Sequence, residues 1–240
     1  MPKRPFIRKP KKKRHGANFW DREYTNPEHL ALSTEPGEDF LKFTRFLERH
    51  YPTHLTAAHC ALDLGCGNGR HLQYLVHHYG MNVYGLDISA AAIKQARAVL
   101  PEYAQQLFTR SIAEPLPLPD NAAHLIFDLM TSHFLNSAQR DALLQEIVRV
   151  GTLDSLFLCK TFLRDDDLHT ERLLREYPGP EPGTYIHPAI GVPEFVYSEA
   201  ELRTFLEPHF TIERVYRSHK HKFHGRARKR RTITVYARRR

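Results

Sequence analysis

Three glycines spaced two apart, Gly65, Gly67 and Gly69, sit in the run Ala61-Leu62-Asp63-Leu64-Gly65-Cys66-Gly67-Asn68-Gly69-Arg70. Glycine has no Cβ, so a turn built this way lets a ligand approach the backbone closely. A second apolar segment ends in Gly85-Leu86-Asp87, with its acid eighteen residues beyond Gly69. A carboxylate at that place suits the two hydroxyls of a ribose, accepting a hydrogen bond from each. Cys66 lies within the turn, but no base is paired with it in the sequence. It reads as a small turn residue rather than a nucleophile.

Such residues need strands and helices to hold them. Short apolar runs at Ala61–Leu64, Val83–Leu86, Leu107–Thr109, Leu125–Met130 and Leu156–Phe162 predict strands, and helical patterns at His71–Tyr79, Ala90–Leu100 and Ala138–Val150 lie between several of them. This alternation predicts a doubly wound α/β fold, a parallel sheet covered by helices on both faces. A further helix is expected over Glu38–His50, with Phe40, Phe43 and Leu47 on one face. After a Pro/Gly-rich stretch, Tyr177–Pro193, come a helix near Glu199–Leu206 and two closing strands, Phe210–Tyr216 and Thr232–Ala237. A basic loop, 219–230, joins those strands.

Composition narrows the class. The 240 residues carry 35 Lys and Arg against 27 Asp and Glu, yet residues 1–15 hold eight of the basic ones and residues 214–240 twelve, with no acid in either block. The body between them is therefore net acidic, at −12. Solubility alone requires no such segregation, and basic blocks often meet phosphate, although solvated tails are common too. Three cysteines, Cys60, Cys66 and Cys159, form no CxxC pair, which excludes a disulfide scaffold and points to a reducing compartment. No apolar run approaches membrane-spanning length. Residues 1–17 read as a disordered basic arm, and 18–240 as one domain with an insertion at 163–197. A cytoplasmic monomer is expected, or a nuclear location in a eukaryote, where Pro10–Arg14 would pass as a localisation patch.

The strand, glycine turn, helix and second-strand acid together resemble the class I S-adenosylmethionine-dependent methyltransferases, from about Phe19 to Ala237. A nucleotide-binding dehydrogenase is the competing reading, disfavoured because the turn reads GCGNGR rather than GxGxxG. The resemblance implies a seven-stranded sheet, mostly parallel with an antiparallel last strand, and S-adenosylmethionine as cofactor. It places Asp63, Gly65, Cys66, Gly67, Asn68 and Gly69 around the methionine part and Asp87 with Ile88 at the ribose. The family often reads adenine with an acid where this chain has Ser111-Ile112, so those two residues are the candidates there. Phe19–Tyr24 resembles the N-terminal segment that folds over the cofactor in many relatives, with Trp20 and Tyr24 as its packing residues.

The acceptor should meet the carboxyl ends of the strands. Asp128, His133 and Lys160 are the catalytic candidates there. With Lys42, Asp128 and Lys160 also resemble part of the Lys-Asp-Lys-Glu tetrad of heat-shock-type ribose 2′-O-methyltransferases, although the final glutamate is absent. The resemblance puts the basic loop on the same edge, so Lys220, Lys222, Arg226, Arg228, Lys229, Arg230 and Arg231 become candidate phosphate contacts for a ribosomal or transfer RNA. Tyr185 and His187 occupy the insertion, a position that often forms an acceptor lid. No metal is expected. Two other readings stand beside the RNA enzyme: a small-molecule methyltransferase resembling the thiopurine and tellurite-resistance types, and a non-catalytic RNA-binding or ribosome-assembly factor.

Overall fold

The computed structural model describes residues 16–29, 32–219, 222–223, 226–227 and 230–240. Its helices are α1 (Ala17–Thr25), α2 (Glu38–His50), α3 (Arg70–Tyr79), α4 (Ala90–Val99), α5 (Ser137–Val150), α6 (Leu168–Glu176) and α7 (Glu199–Leu206). Its strands are β1 (Cys60–Leu64), β2 (Asn82–Asp87), β3 (Leu107–Thr109), β4 (Ala123–Leu129), β5 (Gly151–Phe162), β6 (Thr184–Ile186), β7 (Pro193–Phe195), β8 (Phe210–Arg217), β9 (Lys222–Phe223), β10 (Arg226–Ala227) and β11 (Thr232–Arg239). Seven of them form one sheet in the order β3-β2-β1-β4-β5-β11-β8. The β1–β5 pairings are parallel, and β11 runs antiparallel to both neighbours, as the resemblance implied. Strand order reverses between β1 and β4, which opens a crevice at their carboxyl ends.

Period-two alternation along the strands divides the core into two layers. Leu62, Leu64, Ile126, Phe157 and Cys159 join α5 and α7 on one face. Ala61, Leu125, Phe127, Leu156 and Leu158 meet α2, α3 and α4 on the other. On that second face Phe43 packs edge-on against Phe127 and Tyr236. Burying a phenylalanine of this kind contributes about 2–3 kcal/mol.

Local chemistry sets the helix ends. Asn136 and Gln139 cap α5 reciprocally, as Ser198 and Glu201 do for α7. The insertion contains more order than its composition predicted. Asp167 caps α6 through the His169 N–H, and β6 and β7 pair as a short hairpin. Both strands are only three residues long, too short for alternation to show. Tyr185 and Val196 from this insertion pack with Phe162 and Leu173 in a small core of their own, so the insertion is seated on the end of β5.

The opposite edge of the sheet gathers three histidines. The His59 and His124 rings stack at 4.0 Å, His54 stands edge-on to His59, and the His124 Nδ1 accepts the Cys60 N–H. Burial first, then neighbouring imidazoles, lower the pKa of His124; burial chiefly lowers that of His54. Both are harder to protonate in the fold than in the unfolded chain, which takes up protons there more readily once the pH drops below about 6.5. Stability contributed by their neutral state is present above that pH and lost as the pH falls. Tm measured from pH 7.5 to 5 should therefore fall less steeply in His124→Asn than in the parent; parallel slopes would exclude the effect.

All three cysteines are buried thiols, consistent with the packing reading of Cys66; burial pushes the Cys60 thiol up to about 12. No helix among the described residues is long and apolar enough to cross a membrane.

Candidate cofactor and acceptor site

The glycine turn leaves β1 with Gly65, Gly67 and Gly69 all left-handed, at φ 83°, 57° and 80°. Non-glycine residues are strained there. Space is short as well. A Cβ on Gly65 would lie 2.3 Å from the Thr131 Oγ1, and one on Gly67 2.4 Å from the Tyr24 hydroxyl. The loops after β1 and β4 thus meet across the switch point, and α1 closes over them.

α1 is tied in place by its polar side chains. The Asp21 carboxylate accepts the Ser89 hydroxyl at 2.7 Å and the Ala91 N–H at 3.0 Å, at the start of α4. Gln95 donates to the Tyr24 carbonyl at 2.7 Å. The Glu23 carboxylate, fully buried, accepts the backbone N–H groups of Glu28 and His29 and turns the chain after the helix. Tyr24 therefore lies on the glycine turn, where burial and then Asp87 raise its phenol pKa. Trp20 points the other way and packs edge-on against Phe134 at 4.9 Å.

Two carboxyl groups define the cofactor end. Asp87 accepts the Gly67 N–H at 2.9 Å on one oxygen and the Ser89 N–H at 2.8 Å on the other. Each oxygen keeps a second lone pair, the number needed for two ribose hydroxyls. Burial pushes the Asp87 carboxyl up to about 6, against the two N–H donors that oppose it. Asp63 differs. Its side chain is 1 % exposed, and neither carboxylate oxygen has a hydrogen-bond partner. The His71 Nδ1 stands 3.6 Å away, too far for a hydrogen bond, while its Nε2 accepts the Gly37 N–H. A buried, unbonded carboxyl is costly unless a cation meets it. The ammonium group of an amino-acid ligand at the glycine turn supplies one.

The remaining cofactor candidates are arranged around this frame. Asn68 donates to the Ser33 carbonyl at 2.9 Å, and Ile88 is half-buried between Asp87 and α4. The Ser111 hydroxyl accepts the Ala113 N–H, and Ile112 is buried in the core, which leaves Ser111 the polar group of that pair.

Strand register decides the catalytic candidates. Asp128 aligns with Cys159 and Leu129 with Lys160, so Asp128 and Lys160 project from opposite faces of the sheet. Asp128 is buried and accepts the Thr131 and Ser132 N–H groups at 3.1 Å each, capping the turn after β4. Burial raises its pKa, against the hydrogen bonds from Ser132 and Thr131. Lys160 forms a 2.5 Å ion pair with Asp39 at the start of α2, and the exposed Lys42 pairs with Glu38. The three groups of the tetrad resemblance do not converge. His133 does lie at the acceptor edge. Its ring sits 4.0 Å from Phe134 and 4.9 Å from Phe162, and its Nδ1 is buried without a hydrogen-bond partner. Burial, aided by the Arg230 charge, lowers it to about 3, so it is a neutral imidazole at physiological pH.

The basic loop leaves the sheet where the resemblance placed it. β8 ends, and β11 begins, beside the carboxyl end of β5, where Phe162 aligns with Thr232. Lys220, Arg228 and Lys229 lie outside the described residues, as do residues 1–15 of the arm 1–17, whose Ala17 begins α1, and the side chains of Lys222 and Arg226. Arg231 is turned inward instead of toward a ligand. It is buried, donating to the carbonyls of Asp165 and Ser218, with its own N–H on Asp167. Arg230 is held by Glu194 and Tyr185 of the insertion. His187 also belongs to this region, lowered to about 4 by burial and the Arg230 charge.

Sequence reasoning missed Asp21, His71, Met130 and Glu194. Met130 takes a left-handed φ of 66° immediately after β4, and such strain clusters at functional sites. A groove of about 660 Å³ lies between α5 and α7 on the helical flank.

Residues 61–152, which span the glycine turn, Asp87 and β4, match the family described as a methyltransferase domain. The fold is that of the class I S-adenosylmethionine-dependent methyltransferases. No curated protein matches the sequence. Among solved structures, an S-adenosylmethionine-dependent methyltransferase of Methanosarcina mazei is similar at TM-score 0.64 and 20% identity, over 78% of this chain and 95% of that one. Magnesium protoporphyrin IX methyltransferase of Synechocystis, with S-adenosylhomocysteine bound, is similar at TM-score 0.60 and 17% identity, over 93% and 94%. The 1,6-didemethyltoxoflavin-N1-methyltransferase of Burkholderia thailandensis matches at TM-score 0.60 and 17% identity, over 84% and 78%.

The methyltransferase family matched by residues 61–152 uses S-adenosylmethionine, which when bound would supply a sulfonium-activated methyl group for in-line displacement. The residues present fit that molecule. Asp63 would hold its ammonium and Asp87 its ribose, and the left-handed glycines would allow close backbone approach. Protonating Asp87 removes an acceptor, so cofactor affinity should drop as the pH falls through about 6. At pH 5 about a tenth of the group remains ionised, and titration calorimetry should show binding roughly tenfold weaker than at pH 8. A flat profile would detach Asp87 from the ribose.

Proposed function

We propose that the methyltransferase modifies RNA, with structured ribosomal or transfer RNA as the preferred class. The observation that carries this reading is the separation of charge: twenty basic and no acidic residues in segments 1–15 and 214–240, around an acidic body. The topology supports it, because the loop of the second segment emerges at the strand ends where an acceptor must meet the cofactor. Phosphate neutralisation by such segments supplies sequence-independent grip, and catalysis then rests on holding the acceptor atom in line.

A small acceptor is the alternative, favoured by the insertion seated on the end of β5 and by the acceptors named for the toxoflavin and porphyrin enzymes. The deciding experiment incubates the protein with radiolabelled-methyl cofactor and total RNA from a strain lacking the gene, with wild-type RNA as control. Label entering only the deletion-strain RNA is the expected result. No label in either RNA, with cofactor binding intact, would shift the assignment to a small acceptor. Failure to bind the cofactor would favour an assembly factor on the same fold.

Neutralising Lys220, Lys222 and Lys229 together should weaken RNA binding and reduce the slope of log affinity against log salt by up to about 3, one for each phosphate left without its lysine. An unchanged slope would remove the loop from the interface.

A further inference from the structure

Arg230 is fixed in a way that ordinary structural ion pairs do not require. Its guanidinium lies over the Phe162 ring, 3.6 Å from the centroid, at the end of β5. Nη1 alone holds it to the insertion, donating to both the Glu194 carboxylate and the Tyr185 hydroxyl. Those two partners are themselves buried, at 2 % and 0 % exposure. Among the described residues, Nε and Nη2 make no hydrogen bond, and a fifth of the side chain is exposed. A guanidinium pairing a carboxylate for stability alone gains most from two parallel bonds. Here both bonds leave one nitrogen, and the edge suited to bidentate recognition is unused. The cation is anchored, flat and oriented before any ligand arrives, which reduces the entropy lost on binding.

The other side chain on the Phe162 ring also points to a ligand. His133 touches the same Phe162 ring, and its buried Nδ1 lacks a partner. The Arg230 charge helps keep it neutral, so it offers hydrogen bonding without a second positive charge.

We propose that Arg230 is an acceptor-specificity residue whose Nε and Nη2 edge grips two oxygens of an acceptor oxyanion, held in place by Glu194 and Tyr185. Resting on the RNA reading, that oxyanion is a phosphodiester next to the methylated nucleotide; on a small acceptor it would be a carboxylate. The two sources share their chemistry and are separable by experiment.

Trp20 is the only tryptophan in the chain and packs on Phe134, which adjoins His133, so its fluorescence reports on this edge. Full-length protein should be titrated in 0.3 M salt with the dinucleotide UpU, with uridine and with benzoate. Arg230→Gln should weaken UpU binding about tenfold or more and leave uridine unchanged. Because this variant strands Glu194, the double variant Arg230→Gln/Glu194→Gln is needed too, and it should show the same loss. Arg230→Lys, which keeps charge but not the fork, should recover only part of the affinity. If benzoate alone binds, and does so through Arg230, the oxyanion grip stands and the RNA reading falls. Absence of binding by either anion, or affinities unchanged in both glutamine variants, would overturn the proposal.

Discussion

Asp87→Ala is expected to weaken S-adenosylmethionine binding about 100-fold or more. Each carboxylate oxygen keeps a lone pair that a ribose hydroxyl would meet, and each hydrogen bond to a charged group is worth about 1.5–3 kcal/mol. The same substitution deprives the Gly67 and Ser89 N–H groups of their acceptor. The glycine turn therefore loses its tether to β2 as well as its hold on the ligand. Calorimetric titration, with circular dichroism to verify the fold, measures the effect. Affinity within threefold of the parent, in a folded variant, would mean that the ribose lies elsewhere.

Asp63→Asn should move two properties in opposite directions. Neither oxygen of Asp63 is hydrogen-bonded, although the side chain is buried. Replacing a buried, unbonded charge by an amide of the same shape lowers the desolvation cost, and the ligand-free protein should gain about 1–3 kcal/mol. For a domain of this size that corresponds to a rise in Tm of about 2–12 °C. Cofactor affinity should fall by tenfold or more, because the ammonium loses its counter-charge. Thermal melts with and without S-adenosylmethionine test both halves, and the ligand-induced rise in Tm should shrink as the ligand-free Tm increases. A variant less stable than the parent would mean that Asp63 is structurally satisfied, and the cation argument would fail.

The opposing signs follow from the demand that binding places on a fold. A site for a zwitterionic cofactor must hold a carboxyl group out of water before the cation arrives, and the rest of the domain supports that cost. Here the support is the two-layer core around the sheet, to which β1 contributes Ala61, Leu62 and Leu64 on either side of Asp63.

The strands, most helices and the cofactor turn were legible in the sequence because their signals are local. Apolar runs marked the five parallel strands to within a few residues, except that β5 begins five residues earlier, at Gly151. The glycine turn was legible because left-handed φ and close approach both demand glycine at Gly65 and Gly67. α6 and the β6–β7 hairpin were not, since a polar nine-residue helix and three-residue strands carry little periodicity.

The acceptor edge depended on the tertiary structure. Asp128 and Lys160 are both near strand ends in sequence, yet only the pairing register shows that they face opposite layers. A slip of one residue would have reversed the result, because side chains alternate with period two. The same holds for Arg230 and Arg231, neighbours in one basic run. One lies over Phe162 with an unused edge, and the other is buried among carbonyls, because consecutive residues entering β11 point in different directions. Charge and glycine spacing thus determined that a cofactor turn exists and that basic segments flank it. Which cation is presented at the carboxyl ends of the strands was decided by packing between segments far apart in the chain, which local residue patterns do not encode.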